Sequence, residues 1–267
     1  MDLPNLARVR VARHRSDLVL SSGEAPLAGG TWLYSEPQAH LTGLVDLMEL
    51  GWPAWTTRND GGLSIAATCT VAELVRIPAA GRPAAALFRA GAESLLQSFK
   101  VWNTATIGGN LVTALAAGAL IGVTAALDAE LVIWTPDDGE RRSAVERFVL
   151  GQRATTLAAG EVLRSIELPA GAMAARTAFR RIALSPLGRA GTVVAGRRDA
   201  DGTTVLSITG GTARPEVLRF PEPPGPDHVV AAVDGIRTWF TDAHGAADWR
   251  AAMTRVLAED VRAELAA

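Results

Sequence analysis

Two glycine pairs lie roughly eighty residues apart, each beside an apolar, strand-like run: "PLAGGTWLY" at 26–34 and "TATIGGNLV" at 104–112. Glycine pairs of this kind suit an anion. No Cβ blocks close approach, and unusual backbone angles can aim successive N–H groups at one centre. Each pair has polar neighbours, Thr31 in the first, Thr106 and Asn110 in the second. Facing one diphosphate, the two turns could clamp it without a lysine, and a helix starting near Leu111 would add its positive end. Taken singly, either stretch reads as an ordinary tight turn. Neither is a G-x-G-x-x-G fingerprint or a G-x-x-x-x-G-K-[ST] loop, which disfavours a Rossmann domain and a P-loop NTPase.

Few other residues offer chemistry. The one cysteine, Cys69, cannot make an internal disulfide or hold an iron–sulfur cluster alone. In "LSIAATCTVAELV" it reads as a small buried apolar residue. His14, His40, His228 and His244 are scattered without metal-ligand spacing. No His/Asp pair or paired carboxylates gather near the glycine motifs in sequence. The net charge is -2 and charges are not blocked by sign, which argues against a nucleic-acid partner or a basic membrane-binding face. Lys100 is the only lysine.

The elements that must position the turns follow from patterning. With 267 residues, 48% hydrophobic and 20% charged, the chain can form one large or two smaller domains. "DLVLSSGEAPLAGGTWLY" reads as a helix end, a Gly/Pro break and a strand, "PLAG", entering a glycine turn, and Gly51 as a helix stop. "NDGG" marks a hairpin. Thr70 and Glu73 form a capping box for a helix, and a second helix is expected over 82–99. The run 111–127, rich in alanine and glycine and ended by Asp128 and Glu130, reads as one buried helix and not a membrane span. "AELVIWTPDDGERRSAVERFVL" reads as a strand, a "PDDG" turn and another strand, and "EVLRSIELPA" as a strand closed by Pro169. The stretch 177–220 gives three strands with hairpin turns, "RFPEPPGPDHV" a linker, and the remainder two helices. A mixed half before about residue 170 and a sheet-then-helices tail make the class α+β. The amino-terminal stretch has no signal-peptide core, so a cytoplasmic location is expected.

The two glycine stretches, with "LAAGEVLRSIELP", "TAFRRIA" and "DAHGAADWRAAMTRVLAEDVRAEL", resemble the flavin-binding subunit or domain of molybdenum hydroxylases. That family includes xanthine dehydrogenase and the medium subunit of aerobic carbon monoxide dehydrogenase. The resemblance spans most of the chain. It implies a vanillyl-alcohol-oxidase-like (PCMH-type) FAD domain over 1–172, with α/β subdomains of about 1–53 and 54–172. It further implies a C-terminal domain over 173–267 with a three-stranded antiparallel sheet and helices. FAD, held non-covalently, would have its diphosphate between the turns. The implied contacts are Pro26, Leu27, Ala28, Gly29, Gly30, Thr31, Trp32 and Leu33 on one side. On the other are Thr106, Ile107, Gly108, Gly109 and Asn110, with Thr113 nearby. Leu163 matches a residue packing near the flavin ring and Arg180 a basic position at its edge, though both also read as plain core and strand residues.

There are departures from the family pattern. Ala119 stands where many relatives have an aspartate that helps to hold FAD, and one such hydrogen bond is worth about 1.5–3 kcal/mol. "SPLGRAG" replaces an arginine- and aspartate-rich stretch. Trp32 and Tyr34 are bulky, either packing on the cofactor or filling its site. The resemblance implies a flavoprotein oxidoreductase subunit with no catalytic residue of its own. It would pass electrons from [2Fe–2S] clusters in a small partner subunit through FAD to an external acceptor. Molybdopterin would lie in a large partner subunit, within a heterotrimer. A scaffold subunit that has lost FAD, and a free-standing flavin enzyme, are the alternatives.

Overall fold

The computed structural model describes residues 3–95 and 98–267. Three larger sheets and a two-stranded one form among the described residues. The first is small and parallel. Strand β1 (Arg8–Val11) and β2 (Glu24–Leu27) both pair with β3 (Gly43–Asp46), which lies between them. Pro26 is tolerated because β2 is an edge strand, where one missing N–H breaks no ladder. Alternate residues of β3 face opposite ways. Leu44 packs with Leu27 and Leu41, whereas Val45 packs with Ala12, Leu18, Leu47 and Val162. Gly51, at φ 64, caps the short 3-10 turn that follows, as its position in the sequence suggests.

The second sheet is antiparallel. Its strands are β4 (Trp55–Thr57), β5 (Leu63–Ala66), β6 (Glu130–Trp134), β7 (Glu140–Ala144) and, after a hairpin of β8 (Val149–Gly151) and β9 (Ala154–Thr155), β10 (Val162–Leu168). Their spatial order is β4-β5-β10-β6-β7, so the last strand lies at the centre. Between β5 and β6 run α1 (Val71–Leu74), α2 (Ala86–Ser94), α3 (Phe99–Trp102), α4 (Ile107–Thr113) and α5 (Ala119–Ala126). The capping box on α1 is formed: Thr70 Oγ1 accepts from the Glu73 amide, and Glu73 accepts from the Thr70 amide. The expected helix over 82–99 forms as a 3-10 turn and α2, with residues 96 and 97 outside the described residues. Trp52 and Trp134 meet edge to face at 5.4 Å, and Arg164 lies 4.3 Å from the Trp52 ring centroid, which joins the first two sheets.

Two short helices, α6 (Val145–Phe148) and α7 (Ala170–Ala174), follow β7 and β10. The third sheet is an antiparallel meander of β11 (Arg176–Ile182), β12 (Thr192–Arg198), β13 (Thr204–Thr209) and β14 (Glu216–Phe220). It has four strands, not three. The fourth is a five-residue edge strand beside a proline-rich stretch, too short to stand out from its surroundings. That stretch is not wholly a linker, since α8 (Pro226–Asp234) starts inside it with proline in its first turn, where the missing N–H costs nothing. The final helix is α9 (Ala247–Ala266), packed with α8 on one face of the sheet.

The run 111–127 is not one helix. Helix α4 starts earlier, at Ile107, and ends at Ala114, which takes the left-handed conformation at φ 48. Helix α5 then begins afresh at Ala119. The reason is tertiary: α4 faces a cleft, while α5 packs against α2 and the strands β12 and β13. Every residue of α5 is buried, which explains an apolar run without a polar face. Arg197 locks this corner, donating to Ala126 O at 2.9 Å and pairing with Asp128 and Asp199. Arg219 on β14 also pairs with Asp128 and with Glu146.

Candidate functional site

A cleft of about 550 Å³ opens between the first sheet and the α4 region, within the usual range for a small-molecule site. It is lined by Pro26 to Leu33 from the end of β2, by Thr106, Gly108, Gly109, Asn110 and Thr113 from α4, and by Leu163 from β10. The two glycine turns therefore meet across one space, although β3, β4 and β5 intervene in the chain. A β-bulge between Leu163 and Ser165 interrupts the pairing of β10 with β6 beside that space.

The contact between the turns is close. A Cβ built on Gly29 would lie 1.8 Å from the carbonyl oxygen of Thr104, so the two backbones touch here and only glycine fits. A Cβ on Gly108 would lie 2.5 Å from the carbonyl oxygen of Ala67. A Cβ on Gly109 meets only Thr106 Oγ1, at 3.1 Å. Gly29 and Gly108 are thus required by packing, whereas Gly109 borders open cleft.

The turns differ in their hydrogen bonding. In the second, the amide of Ile107 donates to Cys69 O at 2.9 Å and that of Gly108 to Ala67 O at 3.0 Å. The amide of Gly109 donates to Thr106 Oγ1 at 3.0 Å. The first three amides of α4, which a helix normally leaves open, are therefore already bonded. In the first turn, no acceptor among the described residues receives the amides of Gly29, Gly30, Thr31, Trp32 or Leu33. Gly30, at φ 65, lets the chain reverse there. Tyr34 is turned away, its ring packed on Gly30, so of the two bulky aromatics only Trp32 reaches the cleft.

Polar groups around the cleft are unevenly matched. Asn110 Oδ1 is turned toward Gly118, buried and without a partner among the described residues. Glu161 is held by Arg141 through two contacts of 2.6 Å and accepts from the Ala158 amide at 2.7 Å. The guanidinium is the main reason its carboxyl lies below the usual range. Arg153, in the β8–β9 turn, has no acidic partner among the described residues, and its guanidinium lies 5.8 Å from the Trp32 ring centroid. Cys69 sits behind the second turn, its thiol pushed up to about 12 by burial, and is inert as a nucleophile.

Two residues expected from the resemblance lie elsewhere. Ile107 is fully buried in the core beneath the second turn. Arg180 is on β11, where it pairs with Glu264 of α9. Ala119 is also buried, at the start of α5, and does not line the cleft. Conversely, Gln38, His40, Arg153 and Glu161 border the cleft unannounced. Arg153 stands in "GQRAT", which reads only as a turn, and no local spacing ties it to a motif more than a hundred residues away.

The chain superposes on carbon monoxide dehydrogenase from Oligotropha carboxidovorans with a TM-score of 0.85 at 20% identity, covering 98% of this chain and 97% of that one. For the enzyme of Hydrogenophaga pseudoflava the TM-score is 0.82 at 22% identity, covering 98% and 97%. For quinoline 2-oxidoreductase from Pseudomonas putida 86 it is 0.80 at 21% identity, covering 100% and 98%. At these identities the likeness establishes the fold. No curated protein sequence matches the chain. The model of the FAD binding domain in molybdopterin dehydrogenase matches residues 13–171, which include both glycine turns and Leu163, and the chain belongs to that family.

Proposed function

We propose that this chain is the FAD-binding, electron-transferring subunit of a molybdenum-containing hydroxylase. It takes electrons from [2Fe–2S] clusters of a small partner subunit and delivers them to an external acceptor, with molybdopterin held in a large partner subunit. The observation that carries this reading is the pair of facing turns in a chain of this family. One leaves its amides without an acceptor among the described residues, and the other leaves room at Gly109, where an added Cβ would meet only Thr106 Oγ1.

The residues fit the cofactor. Pro26 to Leu33 would hold the diphosphate through their backbone, as anions are held by successive amides. Gly109 leaves room for it, and Thr106, Thr113 and Asn110 supply hydroxyl and amide groups along the other wall. Ile107 supports that wall from beneath, and Leu163 offers an apolar surface for the ring. Bound FAD supplies the electron-carrying chemistry, accepting and releasing electrons one or two at a time. The protein's own work is to bind it, orient it and keep water from its buried side. Arg180, committed to Glu264, is better read as a fastening for α9 than as a ring-edge group.

The clusters fall to a partner because the single cysteine cannot ligate one. None of the described helices is long and apolar enough to cross a membrane, and a cytoplasmic heterotrimer is the setting this reading expects. In such an assembly the substrate is chosen at the molybdenum centre. The test begins with the purified chain, which should be yellow and release one FAD on heating. Adding the reduced iron–sulfur partner should bleach the flavin band. A colourless chain that takes up no added FAD overturns the reading.

A further inference from the structure

We propose that Arg153 is a charge partner of the FAD diphosphate, waiting on the face of Trp32 until the cofactor arrives. The inference rests on the FAD reading above and adds a residue to that site. A diphosphate brings about two negative charges. The lining of the cleft contains two formally charged side chains, Arg153 and Glu161. Glu161 is already neutralised by Arg141, whereas Arg153 has neither an acidic partner nor a side-chain hydrogen bond among the described residues. The lining therefore holds one uncommitted cation.

Its position is set by both turns. The Arg153 amide donates to Ala114 O, at the end of α4, at 2.8 Å. This bond fixes a residue of left-handed backbone, at φ 57, against the helix that carries the second glycine pair. The guanidinium then reaches across to the ring of Trp32, which belongs to the run of unpaired amides in the first turn. A cation at about 6 Å from an indole face is weakly attracted and easily released. A phosphate in the amide cradle offers the same guanidinium a planar, charge-assisted pair of hydrogen bonds, which is stronger. This also gives Trp32 a purpose in a place where small residues would serve the turn itself.

The experiment is a titration of the apo-chain, prepared by removing flavin, with FAD and with riboflavin at several salt concentrations, read by flavin fluorescence. Wild type, Arg153→Ala and Arg153→Lys are compared, with thermal unfolding as a check on folding. Removing the guanidinium should weaken FAD binding about ten- to a hundredfold. It should also flatten the salt dependence, since screening acts on the charge pair. Riboflavin binding should be unchanged, and Arg153→Lys should recover part of the loss. Equal FAD affinity and salt dependence in wild type and Arg153→Ala overturn the inference while leaving the FAD reading intact. An equal loss for riboflavin also overturns it, because the role would then be structural or in ring stacking. Failure of the wild type to bind FAD defeats both readings.

Discussion

The two glycine turns look interchangeable in sequence, yet one is open and the other closed. The second is bonded into the molecule. Its amides at 107, 108 and 109 are spent on Cys69, Ala67 and Thr106, and its backbone packs against the loop after β5. The first turn is supported at Gly29 and Gly30 but leaves its amides from 29 to 33 without an acceptor among the described residues. Similar motifs thus do different work. The second is a rigid wall with a few polar side chains, and the first keeps its amides free for the anion proposed above. An unbonded amide is tolerable where water or a ligand can reach it, and costly where neither can.

Substitution of the glycines should separate these roles most sharply. Gly29→Ala forces the two turns apart, and overpacking of this kind costs about 1–3 kcal/mol or more. A fall in the melting temperature of the apo-chain is expected, with Gly108→Ala behaving likewise. Gly109→Ala should keep the melting temperature and weaken FAD binding instead. Equal melting temperatures for Gly29→Ala and wild type would break the claim of backbone contact.

Hydrogen exchange gives the next largest contrast. In the apo-chain the amides of residues 29–33 should exchange quickly and those of 107–109 slowly. FAD should slow the first group and leave the second nearly unchanged. Slow exchange at 29–33 without cofactor would show that the first turn is closed as well. A smaller effect is expected at the helix cap. Thr106→Val removes the acceptor for the Gly109 amide, and loss of such a cap costs about 1 kcal/mol. Chemical denaturation should register that loss, and the freed amide should begin to exchange.

The smallest effect is one of pH. Glu24 at the start of β2 is paired with Arg10 and Arg8 and accepts from the Ser21 amide. These bonds, that from Arg10 foremost, hold its pKa at about 2, down from 4.5. A depressed carboxylate stabilises the fold above its unfolded pKa, so this contribution is present above about pH 4.5 and is lost as pH falls toward 2. Glu24→Gln should flatten the acid limb of the stability curve. An unchanged limb would show that these bonds do not depress the Glu24 carboxyl.

Much of the fold was legible where a local rule sufficed. The Thr70–Glu73 capping box, the "NDGG" hairpin and the Gly51 stop each appear where the spacing puts them. The break between α4 and α5 was not legible, because nothing in "LVTALAAGALIG" forbids a continuous helix. It arises because α4 must border the cleft while α5 must fit beneath the third sheet. The site divides in the same way. Glycine pairs and flanking hydroxyls are visible as motifs. Arg153 and Glu161 come from a hairpin and from the foot of β10 that reach the cleft only after the second sheet closes.

By itself, the sequence determined that two glycine pairs stand beside polar residues, that one cysteine cannot serve a cluster, and that a mixed half precedes a sheet-then-helix tail. Those facts depend on residue type and short spacing. Only the tertiary structure decided which turn keeps its amides unbonded, which glycines are fixed by packing, and which charged side chains border the cleft. Each of those depends on what lies across the gap, and chain distance carries no information about it.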